Sequence, residues 1–399
     1  MTGASDTARA AEPADAVSRF EALLAPDGQE LLARLRREDA RAGTDLRLGA
    51  ELRAAYPVEL VVDALAQHGL RLRARAKFSR ALDMYFTRPG LEQASAEVTA
   101  RHRDARYAGV ALVADLCCGI GGDLVALAGG RAVLAVDRDP LHLRMARANA
   151  AVYGVAAGVT AARADVREAD LRGADGVFID PARRAGGRRL RAGESEPPLA
   201  WCLGLAGSIA RVGIKAAPGL PRDAVPPGWE LEFIAVGRDL KEAVAWSPAL
   251  ATAATRATVL PGGHTLTPGA GEPVPVRPPG AFLLDPSPAV TRAGLVADLA
   301  RLTGAWKIDE KIAFLSADTA VRTPFARTLR VIDSAPWDQR RLPAKLRTLD
   351  IGAADIRRRG LAGDVAGLHR RLRLSGSRRA TVVMTRVRGR PWGLVCVDV

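Results

Sequence analysis

Lysine is scarce in this 399-residue chain: six of its 58 basic residues, against 52 arginines. Abundant Ala, Arg, Gly and Pro fit a genome whose codons favour arginine everywhere, so the formal charge of +14 does not by itself imply a polyanionic partner. Cysteine is nearly absent. Four residues, two of them adjacent at Cys117 and Cys118, exclude a disulfide framework and offer no metal-ligand spacing, which fits a reducing cytoplasm. The five histidines (His68, His102, His142, His264 and His369) form no pair at metal spacing, so no metal is expected. No run of about 18 apolar residues exists, which excludes a helical membrane span by sequence. The opening MTGASDTARAAEPAD lacks an apolar core and reads as a frayed tail. With 48% hydrophobic and 26% charged residues the composition is that of a globular protein, and the length calls for two or three domains.

What is present centres on VADLCCGIGGD, residues 113–123. An apolar strand delivers Asp115 to a turn in which Gly119 and Gly121 let backbone approach a ligand, with a helix expected from about Gly122. A second strand, Val133 to Val136, ends on Asp137, close to the spacing at which a carboxylate grips ribose hydroxyls. A glycine turn alone serves packing as often as binding. Here, however, Asp123 enters the first helical turn, where it repels a phosphate and suits a cationic ligand. A third strand, Val159 to Ala162, leads to Asp165, and a fourth, from Gly176, ends on Asp180. Carboxylates at the C-terminal ends of parallel strands converge on one crevice.

These segments resemble the class I S-adenosylmethionine-dependent methyltransferases, with VADLCCGIGGD, VLAVDRD, ARADV and FIDPARR as successive motifs. The resemblance implies a Rossmann-like α/β fold, a seven-stranded sheet with its last strand antiparallel, and S-adenosylmethionine held by Asp115, Cys117, Gly119, Gly121, Asp137, Arg138, Asp165 and Val166. FTRPGLEQAS, LLDPSPAVTRAGLV and IRRRG are similar to segments of an actinobacterial family in which a THUMP-like domain follows the methyltransferase domain.

Helical periodicity without strand alternation predicts a helical domain over 1–108, alternating strands and helices an α/β domain over 109–262, Pro and Gly a linker over 263–280, and mixed segments an α+β domain over 281–399; the resemblance implies that the second is the methyltransferase domain and the last the THUMP-like domain. The fifth strand is expected at Val212–Ala216, and two late strands at Trp229–Val236 and Ala254–Leu260, paired antiparallel at an edge by family pattern. Ala289 to Ala305 reads as one amphipathic helix.

In the amino-methylating members of the class the fourth motif is Asp or Asn, Pro, Pro, then an aromatic residue. Here it is Asp180-Pro181-Ala182-Arg183. Asp180 and Pro181 keep the acceptors for a target amine, while Arg183 takes the place of the stacking ring and either lies flat on a base or holds a phosphate. The plain alternative is that Asp180 caps a helix and the arginines from Arg183 and Arg184 onward line a solvated loop. Cys202, in a Leu-rich helix, reads as core and not as a covalent nucleophile.

Charge is uneven along the chain. From residue 301 onward there are 21 basic and nine acidic residues. Arg357, Arg358, Arg359, Arg370 and Arg371 belong to clusters expected near loops and helix ends, forming an RNA-binding face, and Arg184, which continues the charge after the fourth motif, is expected to contact RNA as well. The expected function is methylation of a base in structured RNA such as tRNA or rRNA. Methylation of a protein or small molecule, and a catalytically silent cofactor-binding RNA-binding protein, are the alternatives.

Overall fold

The computed structural model describes residues 13–39, 46–182, 184–185, 188–189 and 194–399. The chain forms two compact units, Met1–Lys215 with Trp246–Leu250, and Ala216–Ala245 with Ala251–Val399.

The first unit opens with helices α1 (Pro13–Leu24), α2 (Pro26–Asp39), α3 (Leu46–Ala55), α4 (Val58–Ala74), α5 (Arg88–Gln93) and α6 (Glu97–Asp104). Strand β1 (Leu112–Leu116) follows, then α7 (Leu124–Leu127), β2 (Ala132–Asp137), α8 (Pro140–Val152), β3 (Val159–Arg163) and β4 (Gly176–Ile179). The short strands β5 (Arg184–Ala185) and β6 (Arg188–Arg189) pair with each other, and α9 (Leu199–Gly204) leads to β7 (Arg211–Ala216). The sheet runs β3-β2-β1-β4-β7, all parallel. Its order reverses between β1 and β4, where a doubly wound sheet leaves its crevice. The N-terminal helices share one core with this layer: Phe20, Leu31, Leu35, Leu52, Met84 and Phe86 cluster with Ile120 and with Met145 of α8.

Two glycines let aromatics seat against the sheet. Tyr107 donates to the Val177 carbonyl at 2.6 Å and meets Trp246 edge-on, with ring centroids 6.1 Å apart. A Cβ on Gly213 of β7 would lie 2.5 Å from the Trp246 ring and 2.6 Å from the Tyr107 hydroxyl, and one on Gly176 would lie 3.1 Å from the Tyr107 ring.

In the second unit β8 (Glu230–Val236) turns at Gly237-Arg238 into β9 (Asp239–Trp246), followed by β10 (Thr255–Leu260) and β11 (His264–Leu266), in the order β9-β8-β10-β11. Pattern reading missed β9: its first residues are charged and exposed, and its Ala-rich remainder has no strand alternation. The expected edge pairing is also corrected, because β10 runs parallel to β8. The antiparallel members are β11, against β10, and β9, whose two-residue connection to its neighbour β8 permits no other direction. Residues 261–280 pack despite their Pro and Gly: β11 is a strand, and the Lys307 N–H donates to the Pro275 carbonyl at 3.0 Å.

The C-terminal sheet comprises β12 (Phe282–Pro286), β13 (Trp306–Lys307), β14 (Leu315–Ala317), β15 (Ala326–Pro336), β16 (Ile351–Arg358), β17 (Arg378–Val387) and β18 (Arg390–Asp398), in the order β13-β14-β12-β15-β18-β17-β16. Two-residue alternation gives it two buried faces. Val382, Met384, Val395 and Val397 meet helices α12 (Leu342–Thr348) and α13 (Val365–Arg371), while Val383, Leu394 and Cys396 meet Leu283, Ile308 and Phe314. The single helix expected over 289–305 is two, α10 (Pro288–Ala293) and α11 (Val296–Thr303), because Gly294 adopts φ 73° and ends the first. α10 packs on β8 and β10, and the Thr255 hydroxyl donates to the Ala293 carbonyl at 3.3 Å.

Among the described residues no helix is long and apolar enough to cross a membrane, and no group of three His, Cys, Asp or Glu is arranged to hold a metal. Gly213→Ala is expected to lose about 1–3 kcal/mol by overpacking Tyr107 and Trp246, read as a lower urea midpoint at unchanged m-value.

Candidate functional site

A cavity of about 440 Å³ lies at the C-terminal ends of β1 to β4. Asp115, Asp137, Asp165 and Asp180 all line it, as do Cys117, Gly119, Arg138, Val166 and Pro181. The strand-end rule therefore brings together all but one of the described residues expected at the cofactor and the acceptor. Gly121 is the exception: at φ 86° it faces α8, where a Cβ would stand 3.1 Å from the Ala146 Cα, so its role is close helix packing and not ligand approach. Gly119, at φ 54°, has open space where its Cβ would be. The first helix starts at Leu124, two residues later than expected, because the turn continues to Asp123.

The backbone of the turn is fixed by side chains. Asp137 accepts the Gly119 N–H at 2.8 Å and the Asp139 N–H at 2.9 Å, leaving lone pairs on both oxygens for hydroxyl donors. Asn149, fully buried on α8, donates to the Ile120 carbonyl at 2.8 Å and the Tyr85 carbonyl at 3.0 Å, and accepts the Tyr85 N–H at 2.8 Å. Cys117 sits at φ 58°, a conformation that favours glycine, and burial, with Asp137 and Asp180 nearby, pushes its thiol up, so it is no thiolate nucleophile. Cys202 is fully buried, and burial pushes its thiol up to about 12.

The other wall comes from the N-terminal segment. Gly90, Glu92, Gln93, Ala94 and Ser95 line the cavity. Thr87 caps α5 by accepting the Gly90 N–H at 2.9 Å. The Lys77 ammonium closes the other end of α5, donating to the carbonyls of Leu91 at 2.7 Å, Glu92 at 3.2 Å and Ala94 at 2.9 Å.

The electrostatics correct one expectation. Asp123 adds little net charge, since Arg103 holds it in a buried ion pair and the Ser95 hydroxyl donates to it at 2.7 Å. Burial opposes its ionisation, yet Arg103 and Lys215 keep its carboxyl below the usual range. Lys215, 7% exposed at the end of β7, donates to Asp180 Oδ2 at 2.6 Å and Ser95 Oγ at 2.9 Å. Arg103, Asp123, Ser95, Lys215 and Asp180 thus form one continuous polar chain. Asp165 is paired with Arg167, which also holds Glu196.

Asp115 remains. It is 1% exposed, and its Oδ2 has no hydrogen-bond partner among the described residues. Burial first, then the charges of Asp123, Asp180 and Asp137, push its carboxyl well above the usual range. An orphaned carboxylate oxygen among further carboxylates is a socket for a cation that donates hydrogen bonds, and the cavity has the volume of a small-molecule site.

Lys215, Ser95, Arg103 and Asn149 were missed from sequence. Two signals pointed to them: Lys215 ends an apolar strand at the same edge as the four aspartates, and Asn149 interrupts the apolar stripe of α8. Arg183 lies outside the described residues, and of Arg184 only the strand backbone is described. Arg357 and Arg358 are the last two residues of strand β16, beside the loop that follows, and the pleat sends neighbours to opposite faces. Arg359 is engaged internally, pairing with Asp285 at 3.2 Å and lying 4.8 Å from the Phe314 ring centroid. Arg370 and Arg371 are exposed in the last turn of α13.

Comparison with known proteins gives three family matches: an RNA cap guanine-N2 methyltransferase model over residues 110–193, a THUMP domain-like model over 326–397 and a domain of unknown function over 12–76. Two strains of Mycobacterium tuberculosis carry a protein described as an uncharacterized S-adenosylmethionine-dependent methyltransferase, 41% identical over 310 residues, which span 76% of this chain and 84% of theirs. A crystal structure from Porphyromonas gingivalis W83, described as that of a methyltransferase candidate, is similar with TM-score 0.72 at 19% identity, covering 92% of this chain and 98% of that one. At that identity the likeness concerns the fold.

Two measurements check the site. Gly119→Ala is expected to keep the fold, at a cost of about 1–2 kcal/mol for its left-handed residue, while calorimetric affinity for S-adenosylhomocysteine falls about tenfold or more, because the Cβ enters the cavity. Gly121→Ala, by contrast, should lower the melting temperature more than Gly119→Ala does. Asp115→Asn is expected to weaken S-adenosylhomocysteine binding yet raise stability. A carboxyl whose folded pKa is raised favours the fold below its unfolded pKa and loses that contribution as pH rises toward the folded value. The melting-temperature gain of Asp115→Asn should therefore be small near pH 4 and widen toward pH 8.

Proposed function

Because the chain belongs to the S-adenosylmethionine-dependent methyltransferases, with a THUMP-like domain toward its C-terminus, we propose that it methylates a base in structured RNA, tRNA or rRNA. The observation that carries the site reading is the orphaned Asp115 oxygen in a carboxylate-lined cavity, which suits the ammonium and sulfonium of the cofactor. Asp115 would take the ammonium, Asp137 the ribose hydroxyls, and Asp165 and Val166 the base. Bound there, S-adenosylmethionine supplies an electrophilic methyl with a good leaving group.

The protein's task is then to present the nucleophile in line. Asp180, with one oxygen fixed by Lys215, offers its other oxygen to an N–H of the target base, and Pro181 stiffens the backbone beside it. The RNA reading draws on the guanine-N2 family match, in which the acceptor is an exocyclic amine, on the THUMP-like match, and on the basic excess after residue 301. The motif departs from the amine-methylating pattern at Ala182. That departure favours, as a second reading, a protein that binds cofactor and RNA without turnover.

Labelled S-adenosylmethionine incubated with RNA from a strain lacking the protein tests both. Transfer to a tRNA or rRNA fraction is expected, and Asp180→Ala, which removes the acceptor, should lower turnover about a hundredfold or more with S-adenosylhomocysteine affinity kept. Label in protein or small molecules alone, or none despite cofactor binding, would overturn the RNA methylation reading.

A further inference from the structure

The second unit gathers arginines from three separate stretches of the chain. Asp285, at the end of β12 and largely buried, pairs with Arg359 Nη2 at 3.2 Å, lies 3.5 Å from Arg238 Nη2 and 4.0 Å from Arg357 Nε. Its cross-strand partner is Arg327, which pairs with Asp398. These four arginines come from the β8–β9 turn, β15 and the end of β16. In the sheet order, four strand spacings separate β12 from β16, about 19 Å if flat, so the sheet must curl for Arg359 to reach Asp285.

Four guanidiniums therefore share two carboxylates, an excess of positive charge held at one place. Arg359 is satisfied by Asp285, by the Ala313 carbonyl at 2.9 Å and by the Phe314 ring. The Arg357 contact is too long for a hydrogen bond and that of Arg238 is at the limit of one, while their side chains remain 50% and 49% exposed for Arg238 and Arg357 respectively. Burial and the charges of Arg327 and Arg357 drive the Arg238 guanidinium below its usual range, a direction that a bound anion would reverse. Planar guanidinium forks converging from several sides match the oxygens of a phosphate.

We propose that Arg238, Arg327, Arg357 and Arg359 form a phosphate-binding site that grips the backbone of the RNA substrate, with Asp285 as the internal counter-ion that sets their positions. The identity of the polyanion rests on the RNA reading above; the phosphate site itself does not.

The test uses the full chain with Arg238 and Arg357, the two exposed members, both changed to Gln, so that the Asp285–Arg359 pair is kept. Arg172→Gln, an exposed arginine paired with Asp170, is the charge control. Binding of labelled total RNA, tRNA and rRNA together, and of inorganic tripolyphosphate is measured across a series of salt concentrations. The double variant is expected to bind both probes about tenfold or more weakly, and its log–log salt slope on RNA should fall by about 1.4 to 1.8 for two lost phosphate contacts. The melting temperature and S-adenosylhomocysteine affinity should match wild type. Loss on tripolyphosphate when wild type binds no RNA would keep the phosphate site and overturn the RNA reading. Equal binding of double variant and wild type to every probe that wild type binds, or no binding of either probe by wild type, would overturn the phosphate site.

Discussion

Asp115, Asp123 and Asp180 line one cavity, and the charges of Asp123 and Asp180 oppose ionisation of Asp115. The site exists because two cations from distant parts of the chain reach into it. Arg103 arrives from the last turn of α6 and Lys215 from the end of β7. Each meets its carboxylate with little water between, where an unmatched charge would cost far more than a surface pair returns. The N-terminal helices are thus part of the charge balance of the central sheet, and the segment between α5 and α6 lines the cavity beside it. Asp115 is left without such a partner, and that imbalance makes the cavity a receptor for a cation.

Rigidity follows from the same economy of groups. The Asn149 side chain, the Lys77 ammonium and the Asp137 carboxylate fasten eight backbone groups between them, drawn from the glycine turn, the Tyr85 segment, the start of α8 and α5. Backbone that lines a ligand cavity cannot be satisfied by ordinary helix or sheet ladders. Side chains have to complete it.

The parts legible in sequence were those governed by local pattern. Apolar runs ending in Asp gave strands β1 to β4 and placed four carboxylates on one edge, because strand direction and the right-handed crossover leave little choice of side. The parts that were not legible depended on contacts between distant segments. Nothing local distinguishes Arg103 from its exposed neighbours, and Lys215 meets Asp180 only because β7 lies beside β4. Gly121 and Gly119 look alike in the chain, yet one faces α8 and the other the cavity. Three consecutive arginines at 357–359 read as a charge run, and only the end of β16 turns Arg357 and Arg359 toward Asp285.

The seating of α10 on β8 and β10 bears on how the C-terminal sheet is held. A flexible tether would let the C-terminal sheet wander and would deliver whatever it holds at an effective concentration set by tether length. Here the intervening stretch is itself paired, through β11 and the Lys307 contact, and the helix that follows β12 is locked against two strands. The C-terminal sheet is therefore held against β8 and β10 by packed and hydrogen-bonded chain, and the geometry within this unit is set by those contacts and not by the length of a tether.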